Sequence, residues 1–389
     1  MTDNQSTSSL AAVTVDEAFE LTAKLVSFRS YPGEELAVQQ FIADWFRALD
    51  LPVEMGETNE PDRPNVIVRL ENGAGPTLLL NGHTDTVVAD ANWSCDPWQG
   101  KRDGDRFYGL GACDMKSGVA AIMLATRWLA QNRDAWSGTV ICSVVVDEEA
   151  YSIGARAMIE AGISADYCIV TESCFDWPCL GAFGKYLVRV DVHGKGAHAS
   201  WPERGINAAE EAAKFVARLG EMELPSHPRI RSSQTVLSSI SGFTQYVITV
   251  PDKASVLINR HTVSGETEES VIAGYRALAD SLGSEARFEF SIDPPRYPSW
   301  ETPADAHIVQ VFSAAYERET GKAPTFAWTG YGDMNLFSTD AGIPTLMFGA
   351  LGGGYHEADE WVDLPSIAKT VTILLDTTRN LLPPATSKT

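Results

Sequence analysis

No apolar run in this chain approaches the roughly eighteen residues that a membrane-spanning helix needs. The first dozen residues, Met1 to Ala12, are rich in Ser and Thr and lack the basic start and apolar stretch of a signal peptide, so a membrane or exported protein is not expected. Cysteine is scarce. The six present (Cys95, Cys113, Cys142, Cys168, Cys174, Cys179) show neither paired metal-binding spacing nor the density of a disulfide scaffold, which points to a reducing cytoplasm. Cys142 and Cys168 fall inside apolar strand runs and read as core. Positive charge is also short: 30 Lys and Arg stand against 52 Asp and Glu, a net charge of -22. Phosphate backbones need cationic neutralisation, so nucleic acid is excluded as a partner. Internal repeats and long low-complexity segments are lacking, and Pro383 to Thr389 reads as a frayed tail.

What the chain does have is 389 residues, 44% of them hydrophobic, enough for two or three domains. Four short apolar runs each lead to residues that can bind metal. Thr77 to Leu80 leads to His83 and Asp85, Val140 to Val146 to Asp147-Glu148-Glu149, Tyr167 to Val170 to Glu172, and Thr345 to Phe348 through glycines to His356. Continuous apolar runs bounded by turn residues predict strands buried on both faces, as in a parallel sheet. Ligands of such sheets bind beyond the carboxyl ends of the strands, so these polar residues are expected to converge.

The pattern along the chain is βα alternation from Val15 to about Phe183, with helices predicted over Glu35 to Leu49 and Met115 to Gln131. From Tyr186 the strands become half-exposed, and the order strand, helix, two strands, helix, strand follows to Ile292, a ferredoxin-like unit. Its predicted elements are Leu187 to His193, Gly205 to Leu219, Gln234 to Ile240, Ala254 to Thr262, Thr267 to Leu282 and Arg287 to Ile292. After Pro294 to Pro298 the first pattern resumes, with a helix predicted over Ala304 to Thr320. The reading is an α/β fold with a mixed, mostly parallel sheet flanked by helices: residues 1–184 and 295–389 form a catalytic metal-binding domain, and 185–294 an inserted α+β domain.

Imidazoles (His83, His356) with carboxylates (Asp114, Glu149, Glu172) and no cysteine suit catalytic zinc and permit cobalt or manganese. Five ligands exceed one tetrahedral ion; one shared carboxylate with two private ligands per ion describes a metal pair roughly 3.5–4 Å apart. Asp85 is spaced to accept a hydrogen bond from the far nitrogen of His83. Neighbouring side chains beyond a strand end point in different directions, so of Glu148 and Glu149 one can ligate while the other faces a bound water as general base.

The segments Asn81 to Asp85, Gly109 to Gly118, Asp147 to Glu149, Gly196 to Ser200 and His356 to Glu360 together resemble the di-zinc aminoacylase and carboxypeptidase family, which includes acetylornithine deacetylase, succinyl-diaminopimelate desuccinylase and glutamate carboxypeptidase. The resemblance covers the chain in order from about Val15 to Leu381. It implies a di-zinc exopeptidase-like fold, with Asp114 bridging two zinc ions, His83 and Glu172 completing one, Glu149 and His356 the other, and Glu148 as base. It further implies that His198 steadies the developing oxyanion, that Arg260 holds a substrate carboxylate, and that the inserted domain is a lid pairing two chains into a homodimer. The expected activity is hydrolysis of an N-acyl amino acid, with a dipeptide or carboxypeptidase substrate as the near alternative and a catalytically silent binding or scaffold protein as the distant one. Ser173 stands where the family has proline, Ile248 where it has an asparagine, and Ala150-Tyr151 where it prefers small residues, so the family's named substrates do not carry over in detail.

Taken singly, each residue also has a structural reading. His83 and His356 suit buried, satisfied histidines, Asp114 suits a helix cap, His198 a loop contact and Arg260 a salt bridge. Trp177, Trp201 and Tyr246 read as packing or dimer contacts.

Overall fold

The apolar run that ends at His83 is the middle strand of a parallel array. In the computed structural model, which describes residues 13–229, 233–244 and 246–384, the chain divides into two compact units. One comprises Met1–Leu180, Thr302–Ala327 and Gly332–Thr389, and the other Gly181–Glu301 with Trp328–Tyr331. The segment Met1 to Ala12 and residues 385–389 of the expected tail lie outside the described residues.

The first unit opens with α1 (Val15–Val26) and α2 (Leu36–Arg47). Thr14 caps α1 by accepting the Glu17 N–H, while Asp16 and Glu17 sit in the positive first turn. Then come β1 (Val53–Gly56), β2 (Asn65–Asn72), β3 (Thr77–His83), α3 (Ser117–Gln131), β4 (Gly138–Val145), α4 (Ile153–Glu160) and β5 (Tyr167–Val170). Strand β3 lies between β4 and β5 and is parallel to both. β1 and β2 extend the β4 side antiparallel. Val68, Leu70, Leu78, Leu80, Val140 and Ile169 have no exposed surface, as strands covered on both faces require. Helix α3 is buried over most of its circumference, Val119 through Ala125, and so is apolar all round rather than on one stripe.

The second unit contains β6 (Gly184–His193), α5 (Ala208–Ala217), β7 (Gln234–Phe243), β8 (Lys253–Thr262), α6 (Glu268–Asp280) and β9 (Arg287–Tyr297). They form an antiparallel sheet in the order β7-β8-β6-β9, the ferredoxin-like arrangement. Burial alternates along β6 and β8: Val188, Val190, Val192, Val256 and Ile258 face a core completed by Phe215 of α5 and Tyr275 of α6. Pro294 to Pro298, expected to break the pattern, instead largely continues β9 to Tyr297. Proline is tolerated there because β9 is an edge strand and its register shifts between Asp293 and Tyr297.

The chain then returns to the first unit through α7 (His307–Thr320), α8 (Asp333–Thr339), β10 (Thr345–Met347) and α9 (Leu364–Leu381). β10 pairs parallel with β5, giving four parallel strands in the order β4-β3-β5-β10. The expected helix from Ala304 begins three residues later, at His307. Among the described residues no helix is long and apolar enough to cross a membrane.

Candidate metal centre

Strand register brings the candidate ligands together. Asn81 pairs with Val170, so two residues on His83 stands level with Glu172. His83 also pairs with Val145, three residues before Glu148. Asp114 comes from the irregular turn before α3: its φ and ψ (−110°, 97°) and those of Met115 (−128°, 34°) are not helical. His356 follows the short strand Gly352–Gly353, in the left-handed region at φ 59°. Asp147, which precedes the acidic pair, is also left-handed at φ 69°. Arg63, itself largely buried, donates to both Glu35 and Asp147 and holds the turn that carries Glu148 and Glu149.

The donor atoms face one another closely. His83 Nε2 lies 3.3 Å from Asp114 Oδ1, 3.2 Å from Glu172 Oε1 and 3.8 Å from Glu148 Oε2. His356 Nε2 lies 3.3 Å from Asp114 Oδ2 and 3.0 Å from Glu149 Oε2. Asp114 thus turns one carboxylate oxygen to each imidazole. His83, Asp114 and Glu149 form one group whose donor atoms all lie within 4.8 Å of one another; His83, Glu148 and Glu172 form a second.

Asp85 differs from expectation in its contacts. The nearer partner of His83 Nδ1 is the Asp85 main-chain oxygen at 3.1 Å, with the carboxylate at 3.5 Å. The other carboxylate oxygen accepts the Glu149 N–H at 2.8 Å, so Asp85 braces the acidic turn as well as the imidazole.

Charge in this cluster is unbalanced in a way a cation would correct. Burial, opposed by His83 and reinforced by Asp333, Glu172 and Glu149, pushes Glu148 well above the usual carboxylate range. Burial and Asp114 raise Glu149 against His356, and burial with Asp114 raises Glu172 to about 8 against His83. Burial disfavours ionised Asp114 too, yet His356 and His83 hold it below its ordinary value. Burial would lower His83, but Glu172, Asp114 and Asp85 keep it well above its ordinary value. Asp114 and Glu149 lift His356 to about 11 against its partial burial. Protons on imidazoles and carboxyls therefore offset the crowding of acids, which is the charge a divalent cation would supply in their place. The buried His83 Nε2 has no hydrogen-bond partner while facing three carboxylates, so it fits a metal ligand better than a satisfied core histidine.

His198 and Arg260 belong to the second unit. His198 is exposed, its Nδ1 accepting the Ser200 N–H and its ring packed against Trp201. Arg260 is buried, donating to Glu266 and to the main-chain oxygen of His261. Its charge is met inside the unit, so a substrate carboxylate would compete with Glu266.

Sequence reasoning passed over three neighbours of the centre. Gly332 leaves room for the Glu148 carboxylate: a Cβ built there would stand 2.3 Å from Glu148 Oε1. Asp333 is a buried carboxylate whose charge acts on Glu148. Glu360 accepts main-chain N–H bonds from the turn that carries Asp114. Only Glu360 had a sequence signal, lying in the segment that begins at His356.

The sequence profile of peptidase family M20/M25/M40 matches residues 79–380. A succinyl-diaminopimelate desuccinylase of Methylorubrum extorquens is 27% identical over 371 residues, covering 91% of this chain and 96% of that one. Two solved structures share the fold. The aminopeptidase PepT of Bacillus cereus ATCC 10987 superposes with a TM-score of 0.76 at 22% identity, covering 95% of this chain and 100% of its own. The YXEP protein of Bacillus subtilis, described as a dinuclear metal binding peptidase, gives 0.73 at 18% identity, covering 95% and 99%. With the profile matching residues 79–380, most of its length, the chain belongs to peptidase family M20/M25/M40 and is a metal-dependent hydrolase.

Proposed function

We propose that the protein hydrolyses the amide bond of an N-acyl amino acid, with Glu148 as general base. The observation that carries this reading is the division of labour around Asp114. Its two oxygens each face one imidazole, His83 and His356, and the carboxylates of Glu172 and Glu149 stand beside those imidazoles. That arrangement suits a shared ligand with two private ligands on each side. Glu148 contacts His83 only at 3.8 Å and is the acid left over from that scheme.

Two divalent cations, zinc by preference with cobalt or manganese able to substitute, would lower the pKa of an attacking water and polarise the scissile carbonyl. The residues do the rest. Glu148, its carboxyl pushed up by burial, takes the proton from the attacking water and returns it to the leaving amine nitrogen. Asp85 fixes the His83 ring and the Glu149 backbone, so both ligands stay oriented as charge shifts. An uncommitted base beside a full ligand set also speaks against a silent binding or scaffold protein.

Similarity to a succinyl-diaminopimelate desuccinylase favours an N-acyl amide over a dipeptide, and an acyl group carrying its own carboxylate. Homodimer formation through the inserted unit is supported by its edge strand β7, where Val236, Leu237 and Ile240 are exposed, an edge that a soluble chain must cover or blunt. In such a dimer His198 is assigned to the partner's reaction as an oxyanion donor. Arg260 is assigned to a substrate carboxylate only if it exchanges its bond to Glu266. Six free cysteines fit a cytoplasmic setting.

A hydrolysis screen of N-acetyl, N-succinyl and longer N-acyl amino acids and dipeptides, with added zinc or cobalt, tests the assignment. Faster turnover of N-acyl amino acids supports it; turnover of dipeptides alone makes the protein a dipeptidase.

A further inference from the structure

We infer that Glu360 is a positioning residue of the metal centre, whose buried carboxylate fixes the turn presenting Asp114 and ties it to the loop presenting His356. The inference rests on the reading of Asp114 as the shared ligand.

The turn from Gly109 to Lys116 cannot satisfy itself. Gly111 is left-handed at φ 76°, and Asp114 and Met115 leave the helical region. While the Ala112 and Lys116 N–H groups find main-chain oxygens of Gly109 and Gly111, those of Gly111, Cys113 and Asp114 need acceptors from outside the turn. Glu360 supplies them. Its Oε2 accepts the Gly111 N–H at 2.7 Å, and its Oε1 accepts those of Cys113 at 2.6 Å and Asp114 at 2.9 Å. Its main-chain oxygen also accepts the Gly109 N–H at 3.0 Å. Main-chain N–H groups converging on one carboxylate form an anion-binding nest, here filled by the protein's own side chain.

Glu360 is 2% exposed, so these bonds are not shared with water. It lies four residues beyond His356 in the same loop. One side chain therefore sets the backbone nitrogen of Asp114 and, through its own chain position, the loop whose imidazole stands 3.3 Å from Asp114 Oδ2. Gly111 cannot be replaced cheaply within this design, since a Cβ there would meet Thr86 Cγ2 at 2.6 Å.

Replacement of Glu360 by glutamine keeps the shape but turns an NH2 toward N–H donors. The test is a Co2+ titration of the metal-free full chain, read by visible absorption and by competition with a chelator. Glu360→Gln is expected to weaken Co2+ binding about 10- to 100-fold, the usual loss when a partner of a metal ligand is removed, and to shift the Co2+ spectrum. Glu360→Asp, which restores the charge one methylene short, is expected to recover part of the affinity. Leu374→Ala, a cavity in α9, serves as a control for lost stability alone and is expected to keep parental affinity and spectrum. A parental titration of folded Glu360→Gln overturns the inference, as does a Leu374→Ala control that loses affinity equally. Should Glu360→Gln fail to fold, Glu360→Asp decides: weakened binding with a shifted spectrum supports the role, and parental binding overturns it. Asp114→Ala run in parallel separates the two readings. If it binds Co2+ like the parent, the ligand assignment fails; if it loses binding while Glu360→Gln does not, only the positioning role fails.

Discussion

Gly332→Ala should disable the enzyme without unfolding it. Backbone strain is not the reason, because Gly332 is extended at φ −178°, a conformation alanine adopts freely. The cost falls on what the new methyl meets: Glu148 Oε1 at 2.3 Å and Met334 Sδ at 2.9 Å, both ends of flexible side chains. Ordinary contact begins near 3.5 Å, so the Glu148 carboxylate must retreat by about 1 Å. A displacement of about 1 Å at a reacting group is enough to cost about 10²-fold in rate, or about 2.7 kcal/mol of transition-state stabilisation. Steady-state kinetics should show kcat falling by about that factor with KM, metal content and melting temperature near the parent's. Because the methyl should lower turnover by displacing Glu148, Gly332→Ala and Glu148→Gln should not be additive, and the double variant should be hardly slower than Glu148→Gln alone. Parental kcat in Gly332→Ala, or losses that simply multiply in the double variant, would refute the reasoning.

Three further outcomes are expected. Glu148→Gln should lower turnover by on the order of 10² to 10⁴ with metal content unchanged; near-parental turnover in the metal-replete variant removes Glu148 as base. Inactive His198→Ala and Glu148→Gln chains, mixed under conditions where tagged subunits exchange, should regain activity in proportion to heterodimer formed; tagged heterodimers with no regained activity return His198 to a structural role. In chelated protein, folded Glu172 keeps its proton to about 8 whereas the unfolded carboxyl releases it near its ordinary value of 4.5. The folded state then binds more protons across that window, and stability must fall as pH rises through it. Metal displaces those protons, so the gain in melting temperature on adding zinc should be larger at pH 8 than at pH 6; a gain that stays level or shrinks contradicts the assignment of Glu172 to the centre.

The legible parts of this molecule were those that repeat a local rule. Strands buried on both faces must be continuously apolar, so β3, β4, β5 and β10 could be read with the polar residues at their ends. Alternation marked β6 and β8 equally well. Short strands at margins, such as β1, are too brief for any period to show, and the Pro-rich end of β9 is a strand only because an edge needs no donor on its open side. Within the centre, ligand types were legible from spacing, but Gly332 and Asp333 were not, because each acts on a residue far away in sequence; Glu360 lay in a legible segment, yet its bonds to the distant Asp114 turn did not show. Spacing likewise could not tell that Asp85 would offer His83 its main-chain oxygen more closely than its carboxylate.

Elemental analysis with zinc titration of the parent and of Asp114→Ala tests whether two metal ions share Asp114. About two ions per chain at saturation are expected in the parent, with weakened binding at both positions in Asp114→Ala. A single ion per chain whose affinity survives Asp114→Ala would contradict that sharing.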